Sequence, residues 1–178
     1  MQVTKVKIAK KTLKLLEKNS WEKITLLKVL EKQKDKSIKN KNDLLININR
    51  YFDFILKQNL VKLEKSTTKD MLFEVFMARL DILNIHRKST KNIIRYLLTH
   101  PQKSLKLLPS FIESIILIAT LSDIDVEGIQ GVVKIKAIFI LYIVIIFTWY
   151  NDETVSLEKT MTTLDKYLTN IDKFISLK

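Results

Sequence analysis

Apolar residues recur every three or four positions along almost the whole chain, the spacing of one face of an α-helix. Over residues 3 to 19, Ile8, Thr12, Leu15 and Leu16 share such a face and lysines occupy the rest. Asn19 and Ser20 end the segment. A short second helix starts at Thr25 and carries Leu26, Val29 and Leu30. From Lys32 to Asn42 the chain is polar and mostly basic, with Ile38 its only large apolar residue, which predicts a loop or one weak turn. Asn40 then reads as the N-cap of a long helix, because Leu44, Leu45, Ile48, Phe52, Ile55, Leu56 and Leu60 follow at helical spacing.

Ser66, Thr67 and Thr68 break this pattern and cap a helix bearing Met71, Leu72, Val75, Phe76, Leu80 and Ile82, which runs to about His86. Ser89 caps a shorter helix over Ile93, Ile94, Tyr96 and Leu97, halted by His100 and Pro101. Residues 104 to 121 are helical and very apolar, with Pro109 as a kink or a new first turn. After an acidic loop from Ser122 to Gly128 come an apolar helix to Tyr150, a polar turn at Asn151 to Glu153, and a final amphipathic helix with Leu157, Met161, Leu164, Leu168, Ile171 and Ile175. The pattern predicts an all-α protein of about nine helices.

From Ala137 to Tyr150 the 14 residues carry no charge, so this helix must be covered on every side. A membrane span needs about 20 such residues. The alternative is a helix with one face in the subunit core and the other against a second subunit, paired with the last helix in a two-fold four-helix bundle. Leu141, Ile145 and Trp149 share a face and, with Met161, Leu164 and Leu168, form the expected dimer interface.

Composition narrows the chemistry. Among 178 residues there are two glycines, two prolines and no cysteine, too few turn residues for a sandwich, barrel or doubly wound sheet. Disulfides, thiolate nucleophiles and Cys-ligated metals are excluded. Gly128 and Gly131 make no phosphate-cradling loop, dinucleotide fingerprint or nucleophile elbow, so a non-enzyme without cofactor is expected. His86 and His100 are isolated, and capping or surface roles are expected of them rather than metal binding. Asp123, Asp125, Glu127 and Gly128 imitate the first half of a calcium loop, but its twelfth place is Lys134 instead of a bidentate glutamate. The first twenty residues carry a lysine every few positions and no uninterrupted apolar core, so they do not form a secretory signal, and a cytoplasmic protein is expected.

Charge is concentrated at one end. Up to residue 65 there are 17 basic and seven acidic residues, a net of +10 within a total of +12. Such asymmetry is the footprint of a protein that meets nucleic acid or an anionic membrane surface. Lys34, Lys36, Lys39 and Lys41 are the expected phosphate contacts.

The segment Ile8 to Leu30, with Trp21, Glu22, Thr25 and Leu26 at the turn into its second helix, resembles the opening of the TetR family of bacterial transcription regulators. NKNDLL at Asn40 to Leu45 is similar to the start of that family's fourth helix. Leu72 to Leu83, Lys134 to Glu153 and Thr160 to Leu168 resemble a proteobacterial subgroup of the same family. Its fold is shared by lipid-binding proteins of coenzyme Q biosynthesis. The resemblance implies a basic DNA-binding region over 1–43, including Thr25, and a helical effector-binding and dimerisation domain over 44–178. It implies a small apolar or lipid-like ligand lined by Phe52, Phe76, Arg79, Tyr96, Phe111 and Ile115, with Arg79 placed to meet an anionic headgroup or to pair with a helical neighbour. It also implies a homodimer.

One departure stands out. The room between Leu30 and Asn40 is about half a dozen residues shorter than a normal helix-turn-helix needs, and it contains no glycine or aromatic residue. A truncated or lost recognition helix is therefore expected. The other function consistent with this is a TetR-fold lipid or isoprenoid-binding accessory protein that has given up sequence-specific DNA binding and touches a membrane surface through its lysines.

Overall fold

Lysines alternate with a narrow apolar stripe in the first helix, and in the computed structural model that stripe turns inward. The structure describes residues 1–30, 35–61 and 64–175, the last four by backbone alone. Its elements are α1 (Val3–Leu16), a 3₁₀ turn (Trp21–Lys23), α2 (Leu26–Leu30), α3 (Lys41–Asn59), α4 (Thr68–Ile85), α5 (Arg87–Thr99), α6 (Pro101–Leu121), α7 (Gly128–Asn151) and α8 (Glu158–Ile175). The fold is all-α, with eight α-helices among the described residues. Pro109 lies inside α6 and does not open a new helix. Proline removes one backbone donor, and here both Pro109 and Leu105, whose carbonyl loses that partner, are solvent-exposed, so water can take its place.

The chain divides into two compact units, Met1–Ile55 with Asp81–Phe111, and Leu56–Leu80 with Ile112–Lys178. The boundary expected after residue 43 falls within α3.

In the first unit α1 buries Ile8, Ala9, Thr12, Leu13 and Leu16 and packs against α2 and α5. Thr12 is a polar residue at a core position, and its hydroxyl donates to the Ile8 carbonyl of its own helix at 2.8 Å. Asn40 caps α3 as its sequence position predicts: its Oδ1 accepts from the N–H of Asn42 at 2.8 Å. Asp43 reaches back to accept from the N–H groups of Lys39 and Asn40 at 2.7 and 2.9 Å, completing a reciprocal cap. His86 precedes α5 and stacks on Phe52 with ring centroids 5.8 Å apart. Burial there pushes its imidazole below the ordinary histidine value.

In the second unit α7 and α8 pack together. Asp152 organises their junction. Its carboxylate accepts from the N–H and hydroxyl of Thr154 and from the N–H and hydroxyl of Thr160. Burial works against the charge, but these hydrogen bonds outweigh it and hold the carboxyl well below the usual carboxylate range. Both glycines sit at the entry to α7. Gly128 has φ +64°, a left-handed backbone that L side chains resist. A Cβ on Gly131 would collide with the backbone of Val126, so the preceding loop can cross there only over glycine.

Two helices, α6 and α7, are long and apolar enough to cross a membrane by length and composition, with 33% of the most apolar stretch of each buried inside the protein. For α7 the difference from the 14-residue uncharged run is one of length: the helix has 24 residues and begins before Lys134.

Candidate functional site

The basic N-terminal third is held by a few polar side chains. Asn92 of α5 donates to the carbonyls of Leu16 and Asn19 at 3.3 and 2.6 Å and accepts from the N–H of Trp21 at 3.1 Å. One amide thus satisfies the end of α1 and the start of the 3₁₀ turn. Ser89, expected to cap α5 from outside, lies within it and donates to the Leu13 carbonyl at 2.6 Å. Trp21 is buried, with Tyr96 tilted against it at 5.9 Å.

The expected DNA contacts fall in different settings. Thr25 uses its hydroxyl to accept from the N–H of Lys28 at 3.3 Å and so caps α2. Lys36 and Lys39 are exposed. Lys41 is engaged internally: its ammonium donates to the carbonyls of Trp21 and Glu22 at 2.8 and 3.3 Å and sits 5.1 Å from the centroid of the Trp21 ring. Desolvation lowers its pKa from the ordinary lysine value, against the pull of Glu22. Lys34 lies outside the described residues.

Residues 35–40 form a turn. Asp35 Oδ1 accepts from the N–H and hydroxyl of Ser37 at 2.9 and 2.6 Å, which lowers its pKa. Ile38 points inward and is 6% exposed, which explains the lone apolar residue in this basic stretch.

The expected effector residues divide between the units. Phe52 lies in the first, buried between Tyr51 and His86. Tyr96 and Phe111 are also in the first and half-buried. Phe76, Arg79 and Ile115 belong to the second and are fully buried. Two of these meet a common partner: Arg79 Nε lies 3.4 Å from the Tyr142 hydroxyl, and the Phe76 and Tyr142 rings are 6.0 Å apart. The pattern around residues 72–83 could signal Arg79 but not Tyr142, which comes from a helix more than sixty positions away.

Of the expected dimer residues, Leu141, Ile145, Trp149, Leu164 and Leu168 are buried within the single chain, and Met161 is exposed. The opposite face of α7 stays open: Ile129, Val133, Ile140, Ile143 and Phe147 are all exposed. Their spacing marks a continuous apolar stripe with Lys136 in its course.

Sequence reasoning missed a groove of about 620 Å³ in the first unit. The end of α1, the following turn and α5 wall it. Lys18, Lys88 and Arg95 line it together with Glu17, Glu22 and Tyr96. The α5 residues lie at i and i+7, one face of a helix. Nothing in the linear sequence joins residue 18 to residues 88–95, so the cluster appears only on folding. Both histidines take terminal positions on α5. His100 ends the helix, its Nδ1 3.0 Å from the Tyr96 carbonyl, and stacks on Tyr96 at 4.4 Å. In the acidic loop Asp125 accepts from the N–H of Glu127 at 2.9 Å.

No family model and no curated protein matches this sequence. Among solved structures, the chain is similar to the TetR transcriptional regulator from Nitrosomonas europaea ATCC 19718, with a TM-score of 0.74 and 15% sequence identity, over 97% of this chain and 99% of that one. The protein therefore has the TetR-like fold from end to end.

Proposed function

We propose that this chain is a dimeric TetR-type regulator-like protein that binds DNA through its basic N-terminal region and a small apolar effector in its C-terminal helices. The observation that carries the reading is the coincidence of an end-to-end TetR-like fold with a net +10 of charge within the first 65 residues. Exposed Lys36 and Lys39, beside Lys34, are the phosphate contacts of this reading, and Thr25 sets the start of the helix before them. Lys41 then acts as a support, since its ammonium is spent on Trp21 and Glu22. The open apolar stripe of α7 is the dimer face of this reading, together with exposed Met161 of α8. An effector held near Phe76, Arg79 and Tyr142 would bias the separation of the DNA-binding halves.

A second reading is favoured by the side-chain-closed turn of residues 35–40, which fits the truncated or lost recognition helix expected between Leu30 and Asn40. In it the chain keeps the fold as a lipid or isoprenoid-binding accessory protein without base readout. Fluorescence anisotropy on duplex DNA from the protein's own upstream region and on a scrambled duplex separates the two. A tenfold preference, about 1.4 kcal/mol, that persists at physiological salt supports the regulator. Equal, salt-quenched binding to both duplexes removes it, and lipid co-purifying with the protein then supports the second reading.

A further inference from the structure

The groove at the seam of α1 and α5 carries cations that suit a single nucleic-acid strand. Lys18, Lys88 and Arg95 line it, and the charged group of none of the three is in an ion pair or hydrogen bond with another described residue. Cations left open around a concavity are available to phosphates. Lys88 and Arg95 stand about 10 Å apart along the α5 axis, roughly three nucleotide rises of a stacked strand. Tyr96 lies on the same wall, its ring stacked on His100 at 4.4 Å and backed by Trp21 at 5.9 Å. Stacking on aromatics beside a basic track is how proteins hold single strands without reading sequence. Glu17 and Glu22 share the groove and can accept from the amino groups of bases.

The rim is also rigid. Asn92 and Ser89 fasten the end of α1 to α5 through four hydrogen bonds, so the cations on the two sides keep their separation. A membrane surface would need apolar side chains to insert, and the one large aliphatic residue that lines the groove, Leu16, is 2% exposed.

From this arrangement we infer that the α1–α5 groove binds a single strand of nucleic acid, phosphates on Lys18, Lys88 and Arg95 and a base against Tyr96. This inference uses residues other than the duplex-binding lysines Lys36 and Lys39 and does not depend on that reading. The test is anisotropy of a fluorescein-labelled mixed-sequence strand of about 12 nucleotides at about 0.15 M salt, with the same sequence as a duplex for comparison. The groove variants lose affinity for the strand and keep their affinity for the duplex to within about twofold. The double substitution Lys88→Gln, Arg95→Gln weakens strand binding about tenfold and lowers its salt slope by about 1.4, two phosphates at about 0.7 each. Lys36→Gln with Lys39→Gln leaves strand binding within about twofold. Both α5 side chains are exposed, and an unchanged melting temperature verifies the fold; Lys18→Gln provides a second, independent drop of about 0.7 in slope. The inference is overturned if the groove variants bind the strand like wild type, if the loop variants are weakened as much, or if anionic phosphatidylglycerol vesicles displace the strand and the groove variants still bind those vesicles.

Discussion

Lys41 lies over Trp21, its ammonium 5.1 Å from the ring centroid and 2.8 Å from the same residue's carbonyl oxygen. A lysine inside a basic segment is thereby turned into a support for the turn before α2. Lys41→Met removes two charge-assisted hydrogen bonds and a cation–π interaction from a partly exposed site, and the expected cost is about 1 to 2 kcal/mol by urea unfolding. Its duplex-binding salt slope stays at the wild-type value, whereas neutralising Lys36 or Lys39 frees one phosphate and lowers the slope by about 0.9 in each case. A drop of a full unit of slope in Lys41→Met would return that residue to the DNA-binding set.

Asp152 makes acid stability depend on one carboxylate. Its folded pKa lies below the ordinary value, so its contribution is fully present above about pH 4 and is lost as pH falls towards and through the folded value. Asp152→Asn puts an amide N–H against the donors of Thr154 or Thr160 and costs about 2 to 4 kcal/mol at pH 7. Urea midpoints of the two proteins should converge below about pH 4. A gap that stays constant down to pH 2 would show that shape, and not charge, holds the junction.

His86 adds a second, milder dependence of the same sign. Burial lowers its pKa, so the neutral imidazole is the folded form and stability declines as pH drops from about 6.5 towards the folded value. His86→Phe, which keeps the stack on Phe52, should flatten the stability profile between about pH 7 and pH 5. An unchanged profile in that variant would remove His86 as its source.

The two glycines predict an order of damage. Gly128→Ala meets no neighbouring atom and carries only the left-handed backbone penalty, about 1 to 2 kcal/mol. Gly131→Ala forces the Val126 backbone away from α7, and about 3 kcal/mol or more is expected. Thermal melts of the two variants check the order; a Gly128 variant that melts below the Gly131 variant reverses it.

The open side of α7 is testable in solution. Ile140→Glu with Phe147→Glu places charge on the exposed stripe, so the chain should sediment as a folded monomer. Ile145→Glu buries an unpaired carboxylate and should unfold the chain instead. If the double variant sediments like wild type, the stripe is not a dimer face.

Much of the architecture was legible in the sequence because helices are local. The Asn40 cap, the inward stripes of α3 and α4 and the stop before Pro101 all follow from neighbours within one turn. Pro109 misled as a break because nothing nearby says that its missing hydrogen bond opens onto solvent. The face of α7 that turns inward was not legible either, for a run that is apolar all round has no polar side to fix its rotation. Expecting Leu141, Ile145 and Trp149 at an interface identified a real stripe, and the fold covers that stripe within the chain. Asn92 and Tyr142 were invisible because each acts on residues more than sixty positions away, and the groove was invisible because Lys18 meets Lys88 and Arg95 only on folding.

The fastening of α1 has a consequence for synthesis. Asn92 and Ser89 seal segments that left the ribosome more than seventy residues earlier. Until α5 emerges, the carbonyls of Leu13, Leu16 and Asn19 and the indole of Trp21 lack their native cover. The amino-terminal region is therefore not an excisable module, and a nascent chain that stops short of residue 92 exposes this lysine-rich segment to chaperones and proteases in an unfinished state.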